Sequence, residues 1–121
     1  MRLLEWQGRE IFERSGVPVP PGELVHTPEG AREAAERLGG PVVLKAQVPI
    51  GGRGKAGGIK KAARPEEAED IARRLLGAEL GGLKVKSLLV VRAADILSEH
   101  YLGITVDRSR RSGVFLSLIH I

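Results

Sequence analysis

Cysteine is absent from the 121 residues. That excludes a disulfide framework and any thiol chemistry, and it fits a reducing compartment. Aromatic residues are scarce: Trp6, Phe12, Tyr101 and Phe115 are the whole set, too few for a platform that stacks nucleic-acid bases. The histidines His26, His100 and His120 are scattered and make no metal-ligand spacing. No apolar run approaches the roughly 20 residues of a membrane span. The opening residues show no apolar core with a cleavage site, as a signal peptide would. Internal repeats and low-complexity segments are missing as well. These absences lead to the expectation of a soluble, cytoplasmic chain forming one modest domain.

Charge and glycine are what the chain does have. Lys and Arg number 19 against 15 Asp and Glu, for a formal net charge of +4. The two signs are interleaved along most of the chain, so the excess argues only weakly for nucleic acid. One stretch differs, Lys45-Ala-Gln-Val-Pro-Ile-Gly-Gly-Arg-Gly-Lys-Ala-Gly-Gly58, with five glycines and three basic residues in a single connector. Glycines bring backbone N–H groups close to a ligand because no Cβ intervenes. Consecutive N–H groups in such a turn form an anion nest. Lys45, Arg53 and Lys55 add charges suited to phosphate. The stretch reads as a nucleotide-phosphate clamp, with a solvated basic connector as the plain alternative.

Known glycine patterns fit it poorly. Gly52-x-Gly54-x-x-Gly57 satisfies the spacing of the dinucleotide fingerprint, but that fingerprint must open a helix. Here the next helix-start signal is Pro65-Glu66-Glu67, so a strand lies between. The Walker pattern fails because Lys55 is followed by Ala56. What fits is a glycine-rich flap between two strands, as kinases place over ATP, although Lys45 precedes this loop where the kinase lysine follows.

In chain order, Leu3, Leu4, Ile11 and Phe12 share one helical face, and Arg14-Ser15-Gly16 ends that helix. Val17-Pro18-Val19-Pro20-Pro21-Gly22 is extended, and Leu24-Val25 is a short strand. Thr27-Pro28-Glu29 starts a helix that stops at Gly39-Gly40. Pro41 to Lys45 is a buried strand whose terminal lysine can keep its stem in the core and its amine at a ligand. A strand over Gly58 to Ala62 and a helix from Pro65, capped by Gly77, follow. Gly81-Gly82 is a turn, Val85 to Val91 an apolar strand, and Glu99 to Leu118 a hairpin turned at Arg108-Ser109-Arg110-Arg111. The order predicts an α+β fold, an α/β sandwich with helices packed on a mixed sheet.

These residues resemble a family. Leu4-Glu5-Trp6-Gln7-Gly8 with Phe12, Gly16-Val17-Pro18-Val19-Pro20, Val43-Leu44-Lys45-Ala46-Gln47-Val48, and Gly51-Gly52-Arg53-Gly54-Lys55-Ala56-Gly57-Gly58 are similar to the N-terminal part of the β subunit of ADP-forming succinate–CoA ligase (succinyl-CoA synthetase). Asp95-Ile96, Glu99, Tyr101-Leu102-Gly103 and Val106-Asp107-Arg108 continue the similarity. The resemblance implies an ATP-grasp fold, with this N-terminal region spanning 1–117. It implies that Lys45 contacts phosphate and that Gly52, Arg53 and Gly54 lie over the phosphates. Val91 and Ala94 match hinge positions at the adenine, and Glu99 matches a nucleotide-binding glutamate.

The implied reaction joins succinate and CoA at the expense of ATP or GTP. The phosphoryl group is carried by a histidine of a partner α subunit, so His26, His100 and His120 are not its carrier. No catalytic or Mg2+-binding residue is expected in this stretch, and the metal's ligands are expected beyond residue 121. Three positions depart from the family pattern. Val91-Arg92 stand where a glutamate is usual, Pro49 stands where a histidine is common, and 118–121 form a tail that does not follow the family. Two further readings are another acyl-CoA ligase, such as a malate–CoA ligase, and a basic domain that binds nucleic acid without catalysis. The second predicts affinity that falls sharply with salt.

Overall fold

The computed structural model describes residues 2–120, and for 119 and 120 the backbone only. Of the expected tail 118–121, residue 121 therefore lies outside the described residues, as do the side chains of 119 and 120.

Local chemistry explains most of the element boundaries. Helix α1 spans Glu5–Arg14, and at its start the Gln7 side chain accepts from the Leu4 amide at 2.8 Å. Strand β1 is Gly22–Val25. Helix α2, Pro28–Leu38, begins where the Thr27 hydroxyl accepts from the Gly30 amide at 2.9 Å. It ends at Gly39 and Gly40, both at positive φ, where L side chains are strained. Strands β2 (Val42–Ala46) and β3 (Ile59–Ala62) flank the glycine-rich connector. Helix α3, Pro65–Leu75, follows; the Glu67 carboxylate accepts from the Ala63 amide at its start. Its last turn is followed by Leu76 in extended conformation, with Gly77 one residue further on.

A two-residue pair, β4 (Glu79–Leu80) and β5 (Leu83–Lys84), surrounds Gly81-Gly82. Only a turn was expected here. Both glycines have positive φ, the geometry of a tight hairpin, so the flanking residues pair. The apolar strand expected from Val85 is β6, Leu88–Arg92. Val85 instead exchanges backbone bonds with Gly77 and Ala78. A long hairpin, β7 (Glu99–Asp107) and β8 (Ser112–His120), completes the described chain.

The α+β sandwich is present, but its four-stranded sheet, β1-β6-β2-β3, is antiparallel at every junction rather than mixed. The reason is topological. The α2 connection carries the chain from β1 past one strand position to β2, and the α3 connection does the same from β3. β6 then enters between β1 and β2, running against both.

Alternation along the strands separates two faces. Val42, Leu44, Ala46, Leu88 and Val90 belong to one buried cluster with Ala31, Ala34, Ala35, Ala68, Ile71 and Ala72 of α2 and α3. Small alanines let the two helices lie close together over the sheet. Arg92, at the end of β6, donates to the carbonyl of Leu38 at the C-terminus of α2, where a cation is favoured by the helix dipole. Arg37 reaches from α2 to Glu23 on β1 at 2.7 Å, and that hydrogen bond raises the pKa of Arg37 above the ordinary arginine value.

The other face carries Lys45, Leu89 and Val91, with α1 across it. The expected apolar face of α1 is not buried: Leu3, Ile11 and Phe12 are about half exposed, and no residue of α1 is buried. Leu3 and Leu4 also precede the helix. Only part of the sheet's second face lies beneath α1, so its apolar side chains edge an open cleft.

Candidate functional site

β2 ends at the site. Its alternation sends Leu44 into the core, fully buried, and Lys45 to the α1 face. The connector then runs from Gln47 to Gly58 and closes on itself. The Ala46 amide bonds to the Gly58 carbonyl at 2.7 Å, and the Gly58 amide to the Arg53 carbonyl at 2.7 Å. The Ala56 and Gly57 amides are taken by the carbonyls of Gly52 and Gly54. Gly52 and Gly57 sit at positive φ. Gly58 is packed so closely that an added Cβ would stand 2.8 Å from Leu80 Cδ1 and 3.3 Å from the Arg53 carbonyl.

Lys45 and Arg53 meet at Glu5. Arg53 Nη2 is 2.7 Å from Glu5 Oε2, and Lys45 Nζ is 3.6 Å from Glu5 Oε1. Arg53 Nη1 also donates to the carbonyl of Ala46 at 2.8 Å. The side chain of Arg53 is only 17% exposed, so it ties loop, strand end and helix together, with its charge paired to Glu5. Glu5 separates two clefts. One, of about 490 Å³, is lined by Arg53, Gly51 and Pro49. The other, of about 380 Å³, is lined by Lys45, Leu89, Val91 and Phe12. Two cations around one carboxylate leave a net positive site with a polar half at the glycine loop and an apolar half at the sheet.

Of the residues singled out in the sequence, Lys45 and Arg53 meet at the loop end of the sheet. Gly52 and Gly54 flank Arg53 in the loop without lining either cleft, and Val91 lies further along the sheet, opposite Val43. Lys45 and Val91 line the same cleft. Lys55 is exposed on the loop. Ala94 and Glu99 are exposed on the far side of β6 in sequence, in the connector and at the start of β7, and neither lines the two clefts. Arg92, at the departing hinge position, turns toward α2 and away from Lys45.

Two residues at the site had no role read from the sequence. Glu5 was visible only as a first-turn acid, which ordinarily means helix-dipole stabilisation. Gln47 is 5% exposed. Its carbonyl oxygen accepts from the Trp6 amide at 3.0 Å and its amide donates to the Lys45 carbonyl at 3.1 Å, which fixes the start of α1 to the end of β2. A buried amide just past an apolar strand was the available signal.

Among the described residues, no group of three or more His, Cys, Asp or Glu is placed to hold a metal ion, and no helix is long and apolar enough to cross a membrane.

The chain is 50% identical over 116 residues to the β subunit of GDP-forming succinate–CoA ligase from Thermus thermophilus, covering 96% of this chain and 31% of that protein. It is 54% identical over 116 residues to the ADP-forming β subunit from Rubrobacter xylanophilus, covering 96% and 30%. The Ignicoccus hospitalis β subunit, also ADP-forming, is 50% identical over 117 residues, covering 97% and 31%. The chain thus spans less than a third of the length of these relatives. Two structures of a dinucleotide-forming acetyl-coenzyme A synthetase from Ca. Korarchaeum cryptofilum share the fold. Their TM-scores are 0.75 and 0.77 at 24% and 23% identity, over 97% and 98% of this chain and 53% and 52% of theirs. The ATP-grasp domain pattern matches residues 2–118, and the chain belongs to the ATP-grasp domain family.

Proposed function

We propose that this chain is the nucleotide-binding part of a succinate–CoA ligase β subunit. In that role it helps convert succinate, CoA and ATP to succinyl-CoA, ADP and phosphate, with a histidine of an α subunit carrying the phosphoryl group. The observation that supports it most is the convergence of Lys45 and Arg53 at the mouth of the glycine loop. Phosphoryl transfer asks its nucleotide-binding subunit mainly for positioning and neutralised charge, and lysine, arginine and glycine amides supply both. The apolar cleft at Leu89 and Val91 suits a purine base beside the polar half. Ala94 and Glu99 would reach the nucleotide from the segment after β6. Mg2+ would take its oxygen ligands from the phosphates and from parts of the whole β subunit outside this chain. CoA, succinate and the α subunit are partners of the whole complex, which is expected in the cytoplasm. Relatives named for GDP and for ADP formation leave either purine nucleotide compatible with the loop.

Another acyl-CoA ligase of the superfamily, such as a malate–CoA ligase, would use the same loop and differ in the acid. Backbone amide exchange tests the nucleotide reading. In the whole protein that carries this chain, ATP with Mg2+ should slow exchange over Gly51 to Gly58, and Lys45→Ala should weaken that protection. Equal exchange with and without nucleotide, in a protein that binds ATP, would place the nucleotide elsewhere. Turnover with succinate and not malate then decides between the two acids.

A further inference from the structure

Glu5 is the group at this site that a phosphate ligand would not favour. Its carboxylate stands between the two cations that the nucleotide reading assigns to phosphate, with one oxygen on the Arg53 fork and the other facing the Lys45 amine. Two phosphate oxygens would take up the same arrangement. From this geometry we infer that Glu5 is an internal placeholder: it holds Lys45 and Arg53 converged while the anion site is empty, and an incoming phosphoryl group displaces it. The inference rests on the reading of Lys45 and Arg53 as phosphate ligands.

Three observations carry it. Glu5 Oε1 is buried yet accepts no hydrogen bond, and the Lys45 amine, at 3.6 Å, is beyond hydrogen-bond length. A carboxylate with every lone pair satisfied would be costly to dislodge. This one is hydrogen-bonded through only one oxygen, and its charge contact with Lys45 is one that an incoming phosphate would replace. Second, Glu5 lines both clefts, so a ligand spanning them must pass its side chain. Third, the backbone around it is pinned independently. The Trp6 amide bonds to Gln47 and the Leu4 amide to Gln7. The carboxylate can therefore rotate outward, toward the solvent it already meets at 30% exposure, without unwinding α1.

The chemistry also explains why a placeholder is useful. Two cations converging with no anion between them repel one another in a half-buried site. A carboxylate there keeps the loop folded against β2 until a ligand of higher charge arrives. A nucleoside triphosphate carries more charge than one carboxylate and can engage the N–H groups of the loop as well, so it competes successfully where a single phosphate would not.

The test uses the isosteric variant Glu5→Gln in the whole protein, titrated calorimetrically at low salt with inorganic phosphate, pyrophosphate, tripolyphosphate and ATP. Removing the competing charge should tighten binding on the order of three- to tenfold, the scale of one like-charge contact at a partly exposed site. The gain should increase with the charge of the anion, which a general loosening of structure would not produce. Weaker or unchanged affinity would overturn the placeholder role and leave Glu5 as a fixed support for Arg53. If the variant does not fold, the unsubstituted protein gives the answer. The carboxyl carbon resonance of Glu5 should shift when ATP binds, and one that stays put with ATP bound overturns the inference. Failure of the underlying reading looks different: none of the anions binds either protein, and Lys45→Ala changes nothing.

Discussion

Arg53 Nη2 lies 2.7 Å from Glu5 Oε2 although 48 residues separate them. That contact fastens the glycine-rich connector to the first turn of α1. The five-glycine connector carries its own set of backbone bonds, and its arginine is mostly buried.

Arg53 is accordingly expected to matter for the fold as well as the ligand. Arg53→Ala removes a bond to the Ala46 carbonyl and leaves the Glu5 carboxylate without its closest partner. A loss of about 1–3 kcal/mol is expected, the usual cost of an orphaned polar group. Arg53→Lys should recover only part of it, because one ammonium cannot span both acceptors as the guanidinium fork does. Urea unfolding of both variants measures this, and an alanine variant as stable as the parent would contradict it.

Leu44 and Lys45 should separate stability from binding. Leu44→Ala opens a cavity at a fully buried position and should cost about 2–5 kcal/mol. Lys45→Ala, one residue on and facing the other way, should change stability by less than about 1 kcal/mol. It should nevertheless weaken ATP binding roughly ten- to a hundredfold, the worth of one charge-assisted hydrogen bond. Thermal melts paired with nucleotide titrations read both quantities.

Gly58 and Gly51 make a matched pair within the loop. A methyl group on Gly58 meets Leu80 and the Arg53 carbonyl, so Gly58→Ala should destabilise by about 1–3 kcal/mol through overpacking. Gly51 has nothing within 4 Å of a Cβ, and Gly51→Ala should fall within about 0.5 kcal/mol of the parent. Equal effects at the two sites would mean that the loop does not pack as described.

The β7–β8 hairpin exposes Leu102, Ile104, Val106, Phe115 and Leu118, each more than half accessible. An apolar surface of this kind favours association. Ile104 and Phe115 are direct cross-strand partners, so replacing them together as Ile104→Lys and Phe115→Glu keeps a favourable pair. In the 121-residue chain by itself, sedimentation should show less self-association, with the melting temperature of the α2–α3 body nearly unchanged.

What the sequence determined by itself was much of what depends on near neighbours. Thr27-Pro28-Glu29 and Pro65-Glu66-Glu67 set the starts of α2 and α3 because caps, N1 prolines and first-turn acids act within one turn. The apolar run Val42 to Leu44 closed by Lys45 marked a buried strand, and the glycine cluster after it marked the loop. The tertiary structure alone decided the rest. Strand order followed from where α2 and α3 could cross the sheet, which placed β6 between β1 and β2 and made the sheet antiparallel. The exposure of Ile11 and Phe12 followed from how little of the sheet α1 covers, which periodicity cannot state. Glu5 joined Lys45 and Arg53 because Gln47 holds the start of α1 against the end of β2. Such a contact is set by packing between segments more than forty residues apart, and no local pattern carries that information.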